Sequence, residues 1–216
     1  MKPRIHQVLF DFDGVLAHYR HEVRIAHLAA HAGCAHERVR EVLFVSGLEV
    51  EYDSGRVDTA TYLRRIGEGV GATIDEDAWI ASRMAGSTAM DDVLTRVTAL
   101  HPDVAMGVLT NNGAMMTQAI PRIVAPLAVR IEGRVLTSGG LQRRKPAPAT
   151  FTHALELLGW DAASTLFVDD KFTNVQGARE AGLHAETVTD GRTLGKALKR
   201  YVFGPQTGWL SALCEP

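Results

Sequence analysis

Two aspartates one residue apart, Asp11 and Asp13, follow the apolar stretch Val8-Leu9-Phe10, and Gly14 comes directly after them. Carboxylates at this spacing can address one bound group, as candidate nucleophile, candidate acid/base or oxygen ligands for a hard cation. Three more polar sets follow short apolar runs further along. Thr110 and Asn111 follow residues 104–109, Lys145 lies beyond 134–137, and Asp169 and Asp170 follow 165–168. Together these residues supply a candidate nucleophile, a candidate acid/base, a ligand set for a cation, a hydroxyl donor and a fixed positive charge.

Residues this far apart in sequence act together only if the fold gathers them. Residues 8–12, apolar with polar neighbours before and a glycine after, predict a short buried central strand. Residues two apart on a strand share a face, so Asp11 and Asp13 can address one group if the extended path continues past Phe12. Gly14 then allows a sharp change of direction. Strands are also predicted at 104–109, 134–137, 165–168 and 185–188. Helices are predicted at 91–100, after Pro146 and Pro148 through Phe151, Ala154, Leu155 and Leu158, and at 174–181 before Gly182. Strands alternating with helices imply right-handed crossovers and a mostly parallel sheet. In such a sheet the carboxyl ends of the strands, where the polar sets lie, converge on the ligand-binding edge.

Residues 17–86 have a different texture. Apolar positions at helical spacing stop near Gly33, Gly47 and Gly67, Asp58 or Thr59 can cap a helix carrying Tyr62, Leu63 and Ile66, and 74–85 makes a further helix. No strand is expected there, so the segment reads as a helical insertion. His27 and His31 have the i, i+4 spacing of a metal pair, but no third ligand stands at a helical distance, and a solvated or packed helix face is expected. Tyr52 is expected to pack, as are Met115 and Met116. Arg143 and Arg144 read as surface charge.

With 216 residues, 46% hydrophobic and 22% charged, the chain has the composition of an ordinary globular protein able to bury a sizeable core. A net charge of -2 argues against nucleic acid or an anionic membrane as partner. Two cysteines, Cys34 and Cys214, imply no disulfide framework, and neither a signal peptide nor a membrane span is evident. A cytoplasmic protein, monomer or homodimer, acting on a small molecule is the expectation. The tail 201–216, with Phe203, Trp209, Leu210 and Leu213, is expected to pack on the body, with a partner contact as the alternative.

The order Asp11-Phe12-Asp13-Gly14, Thr110-Asn111, Lys145 and Asp169-Asp170 resembles the four motifs of the haloacid dehalogenase (HAD) superfamily, in its phosphatase-like subgroup with a helical cap. The resemblance covers nearly the whole chain. It implies a Rossmann-like three-layer α/β sandwich at 1–16 and 87–216 with an inserted α-helical cap at 17–86. It also implies a phosphatase in which Asp11 attacks phosphorus and Asp13 acts as acid and base. Mg²⁺ would be held by Asp11, the Asp13 carbonyl and Asp169, with Asp170 acting through water or on the ligands. Thr110, the Asn111 amide and Lys145 would bind the phosphoryl group, and Asn174 would support the acidic loop. Asp13 stands where carbon–halogen-cleaving members lack an acid/base aspartate. A phosphomutase of the same fold and a non-catalytic binding module are the alternatives. Substrate choice is expected from His18, Tyr19, Arg20 and residues 47–53.

Overall fold

The computed structural model describes residues 5–201. Its first strand, β1 (Gln7–Phe10), has its last three side chains fully buried. They are apolar on both faces because the strand lies inside a sheet covered on both sides. There follow β2 (Ala17–Tyr19), α1 (His21–Ala32), α2 (His36–Arg40), a π-helical turn over Glu41–Val45, α3 (Leu48–Asp53), α4 (Thr59–Val70), α5 (Glu76–Gly86) and β3 (Ser87–Ala89). The strand β2 corrects the expectation of helix throughout 17–86. Three residues are too few for alternation to show, and the partner of β2 lies far along the chain: it pairs antiparallel with β3, Ala17 opposite Ala89.

The remaining strands and α-helices are α6 (Asp91–Thr98), β4 (Ala105–Thr110), α7 (Met116–Ile123), β5 (Val135–Thr137), α8 (Ser138–Leu141), α9 (Pro148–Leu158), β6 (Thr165–Asp169), α10 (Phe172–Glu180), β7 (His184–Thr187) and α11 (Gly191–Tyr201). The five longer-range strands form one wholly parallel sheet in the order β5-β4-β1-β6-β7. The chain builds outward from β1 through β4 to β5, then crosses to β6 and β7 on the other side. The switch lies beside β1, where a ligand crevice forms in such sheets.

Alternate residues of the strands bury in two separate layers. On one face Val8, Phe10, Val108 and Val168 pack with Val93 and Val97 of α6, Met116 and Ile120 of α7, and Leu194 of α11. On the other, Leu9, Leu109 and Phe167 pack with Phe151 and Ala154 of α9 and Val175 and Ala178 of α10. Each such side chain contributes roughly 1.5–3 kcal/mol by leaving water. This is the three-layer α/β arrangement expected.

Between β2 and β3, α4 and α5 start at Asp58 and Asp75, whose carboxylates accept from Thr61 N and Ala78 N at 2.7 and 2.8 Å. These caps satisfy donors that the helices leave open. Helix α1 packs along α5, and the interior holds charge. Arg24, 1% exposed, pairs with Glu49 at 2.5 Å and donates to Tyr62 Oη at 3.2 Å, and Trp79 Nε1 donates to the same hydroxyl at 3.1 Å. Buried charges persist where they are paired and hydrogen-bonded like this. Among the described residues no helix is long and apolar enough to cross a membrane. The predicted packing of the tail, and Cys214, lie outside the described residues beyond Tyr201.

Candidate active site

Strand pairing brings three of the four polar sets together. Phe10 stands level with Val108 and Val168 in the sheet, so Asp11, Leu109 and Asp169 come next in line, and Asp11 N donates to Val168 O at 2.9 Å. The loop before α9 then carries Lys145 into the same place. Its ammonium lies 2.8 Å from Asp11 Oδ1 and 2.6 Å from Asp169 Oδ2, and Lys145 is 2% exposed, Asp11 7% and Asp169 0%. Asn111 fixes that loop: its Nδ2 donates to Lys145 O and Lys145 N donates to its Oδ1, both at 2.9 Å. Asn174, on α10, donates to both Asp169 oxygens at 3.0 and 2.9 Å, and Lys171 N donates to Oδ1 at 2.8 Å.

Burial pushes the Asp11 carboxyl up to about 7, with Asp169 adding to the rise and Lys145 opposing it. For Lys145, burial alone would favour the neutral amine, but the two carboxylates outweigh it and hold the group above its ordinary range. Burial, then Asp169, raises Asp170. This is a region where excess negative charge is held in low dielectric. Carboxylate oxygens of Asp11, Asp169 and Asp170 lie within 4.8 Å of one another, and Asp170 Oδ1 is buried with no hydrogen-bond partner. Hard oxygens crowded together with one left unsatisfied suit a hard divalent cation.

Asp13 is placed differently from the sequence expectation. The strand ends at Phe10 and the chain bends at Phe12, before Asp13, while the expected turn follows at Gly14, at φ 88°. Only glycine is comfortable there: a Cβ would also meet Asp170 Oδ2 at 2.7 Å. Asp13 is held by Arg83 Nη2, which donates to both its oxygens at 3.1 and 3.0 Å, and by Asn112 Nδ2 at 3.0 Å. The same Asn112 amide donates to Thr110 Oγ1 at 2.6 Å, and Thr110 is 1% exposed. Arg83 comes from α5, is 1% exposed, donates through Nε to Met116 Sδ at 3.1 Å and lies over the Tyr19 ring at 3.9 Å.

Neither Arg83 nor Asn112 was singled out from sequence. Asn112 stood in the open, directly after Thr110-Asn111. Arg83 carried no signal, since an arginine on a helix ordinarily faces water. Tyr52 is 1% exposed, stacks on Tyr62 at 4.0 Å and accepts from Met115 N at 2.9 Å. It packs, as do Met115 and Met116. His27, His31, Arg143 and Arg144 are exposed.

A pocket of about 850 Å³ opens beside these carboxylates, lined by Asp13, Gly14, His18, Tyr19, Arg20, Thr88, Asp170 and Lys171. A second hollow of about 830 Å³ lies around residues 98–105 with Arg130 and Arg134, at the other end of β4 and away from the carboxylates. The first is the one the chemistry can use.

The N-acylneuraminate-9-phosphatase of Rattus norvegicus is 32% identical to this chain over 108 residues, covering 50% of this chain and 43% of that protein. The human protein of the same name matches over the same length. The matched stretch thus spans less than half the length of these relatives. Among solved structures, a HAD family enzyme from Bacteroides thetaiotaomicron superposes with a TM-score of 0.70 at 19% identity, over 90% of this chain and 98% of that one. The same enzyme in complex with magnesium and inorganic phosphate gives 0.66 at 20% identity, over 85% and 93%. A predicted HAD-like family hydrolase from Porphyromonas gingivalis gives 0.68 at 22% identity, over 91% and 97%. These likenesses establish the fold. The model of haloacid dehalogenase-like hydrolases matches residues 5–182, a span that runs from the first strand through the acidic pair and the helix behind it, and the chain belongs to that family.

Proposed function

We propose that the protein is a Mg²⁺-dependent phosphatase that hydrolyses a small phosphate monoester, a sugar phosphate in the first instance, through an aspartyl-phosphate on Asp11. Residues 17–86 would act as a cap over the site. The observation that carries this reading is Lys145, a buried ammonium held between Asp11 and Asp169, with an acid/base carboxylate two residues beyond Asp11 kept apart on its own partners, Arg83 and Asn112. Separate partners allow the two carboxylates separate roles.

Asp11 attacks phosphorus as the bond to the leaving oxygen breaks, which divides the hydrolysis into two easier steps. Asp13 gives its proton to the departing alkoxide and takes one from the water that attacks the aspartyl-phosphate. Thr110 Oγ1, the Asn111 backbone N–H and the Lys145 ammonium receive the phosphoryl oxygens and neutralise the charge that develops there. Asn174 and Asn111 keep Asp169 and Lys145 in place. A bound Mg²⁺, held by Asp11, Asp169, Asp170 and the Asp13 carbonyl, would supply further charge neutralisation and favour ionised Asp11.

The named relatives support a sugar-phosphate substrate, and the neighbour solved with magnesium and inorganic phosphate supports the cation. A cytoplasmic setting, as monomer or homodimer, belongs to the same proposal. The test is phosphate release from a panel of phosphate monoesters, with Mg²⁺ and with excess chelator, beside Asp11→Asn. Release only with Mg²⁺ and only by the unmodified chain is expected. An Asp11→Asn variant as active as the parent would overturn the role of Asp11.

A further inference from the structure

The pocket beside Asp13 has a charge pattern that the hydrolysis of phosphate does not itself require. Asp13, Gly14 and Asp170 belong to the chemical centre, but Arg20 and Lys171 line the same pocket, with His18, Tyr19 and Thr88 between. Both cations are exposed, and neither is held in a side-chain hydrogen bond or an ion pair with a described residue. That differs from the buried cations nearby: Arg83 and Lys145 are committed to carboxylates. Lys171 lies near enough for Asp170 to feel its charge. The two cations come from distant parts of the chain, one after β2 and one after β6, so their meeting at one pocket is a product of the fold.

Backbone structure reinforces the same sign. Arg20 is the residue before α1 and Lys171 the residue before α10; neither helix has a side-chain cap at that end, and while α1 carries Glu22 in its first turn, α10 has no acidic residue there. First-turn N–H groups without a side-chain acceptor, and the positive end of the helix dipole, favour negative charge beside them. Of the two cations, Lys171 has Asp170 beside it, whereas Arg20 has no described charge partner, and the phosphoryl group is already met by Lys145 and Thr110.

We infer that the leaving group carries a second anionic group, a carboxylate or a further phosphate, which Arg20 and Lys171 receive, with His18 and Thr88 offering hydrogen bonds. This inference rests on the phosphatase reading and narrows its substrate. The two cations therefore select the substrate, while the strand-end residues perform the reaction.

The experiment measures kcat/KM of the full chain with Mg²⁺ on matched pairs: phosphoglycerate against glycerol phosphate, phosphogluconate against glucitol phosphate, and a sugar bisphosphate against its monophosphate. The anionic member is expected to win by about tenfold or more in at least one kind of pair. Which pairs show the preference tells carboxylate from phosphate. The preference is expected to fall severalfold in Arg20→Gln and Lys171→Gln, further in the double variant, and with added salt, because exposed charges are screened. Release at equal kcat/KM within every pair, or a preference indifferent to both substitutions, overturns the inference and leaves the hydrolase reading standing. No release from any member overturns the hydrolase reading, and this inference with it.

Discussion

Replacing Lys145 with methionine removes a buried charge and keeps an unbranched chain of similar length. The ammonium contacts two carboxylates, at 2.8 and 2.6 Å, and all three residues are nearly inaccessible to water. Removing one partner of such a cluster costs about 3–5 kcal/mol, because the remaining charge stays buried without compensation. Two features place Lys145→Met at the lower end. Asp169 keeps its bonds from Asn174 and Lys171 N, and Asp11, already up at about 7, can take a proton. A loss of about 3 kcal/mol in excess chelator follows, which in urea is a midpoint shift of about 1.5 M for a slope near 2 kcal/mol per M. Trp79 and Trp160 serve as fluorescent reporters.

The pH dependence checks the cause. A carboxyl whose folded pKa lies above its unfolded value binds more protons folded than unfolded, so its ionisation destabilises the fold as pH rises. For Asp11 the window runs from the ordinary 3.8 to about 7, and the slope there is negative. Without Lys145 the window extends upward, so the variant should lose more at about pH 8 than at about pH 5. A loss under about 1 kcal/mol in chelator, or the same loss at both pH values, would refute the account of Lys145 as the compensating charge.

Arg83→Met leaves Asp13, 29% exposed, with Asn112 as its remaining side-chain donor. Steady-state kinetics should show kcat reduced about tenfold or more with a smaller change in KM, since Arg83 holds Asp13 by both its oxygens. Asp53, whose carboxyl burial and then Glu49 push up to about 7, should make the protein lose stability as pH rises from about 4 to about 7. In Asp53→Asn, unfolding followed over that range should show a shallower slope. Gly14→Ala puts a Cβ 2.7 Å from Asp170 Oδ2 at a backbone φ of 88°. Thermal unfolding should detect a loss of about 1–2 kcal/mol, and calorimetry a weaker Mg²⁺ affinity.

The strand ends were legible for a physical reason. Strands buried on both faces must be continuously apolar, so the change to Asp11, Thr110 and Asp169 marks where each leaves the sheet. Parallel topology follows from helices alternating with those strands, and with it the convergence of the ends. What could not be read was the conformation just past β1. The expectation that Asp11 and Asp13 share a strand face depended on an extended path past Phe12, and the chain bends at Phe12. Strand β2 was missed because three residues carry no period, and its pairing with β3 spans the whole helical segment.

The sequence by itself determined the alternation of elements, the order of the sheet's polar strand ends and the chemical types gathered there. Each of these is written in residues adjacent along the chain, where periodicity and turn chemistry act. The tertiary structure alone decided which cations are buried and what they hold. Arg83 and Arg20 look alike in sequence, yet one is packed under Tyr19 against Asp13 and the other lines an open pocket. Desolvation and pairing depend on every element packed around a side chain, so they exist only once α5, β2 and the loop after β4 have met.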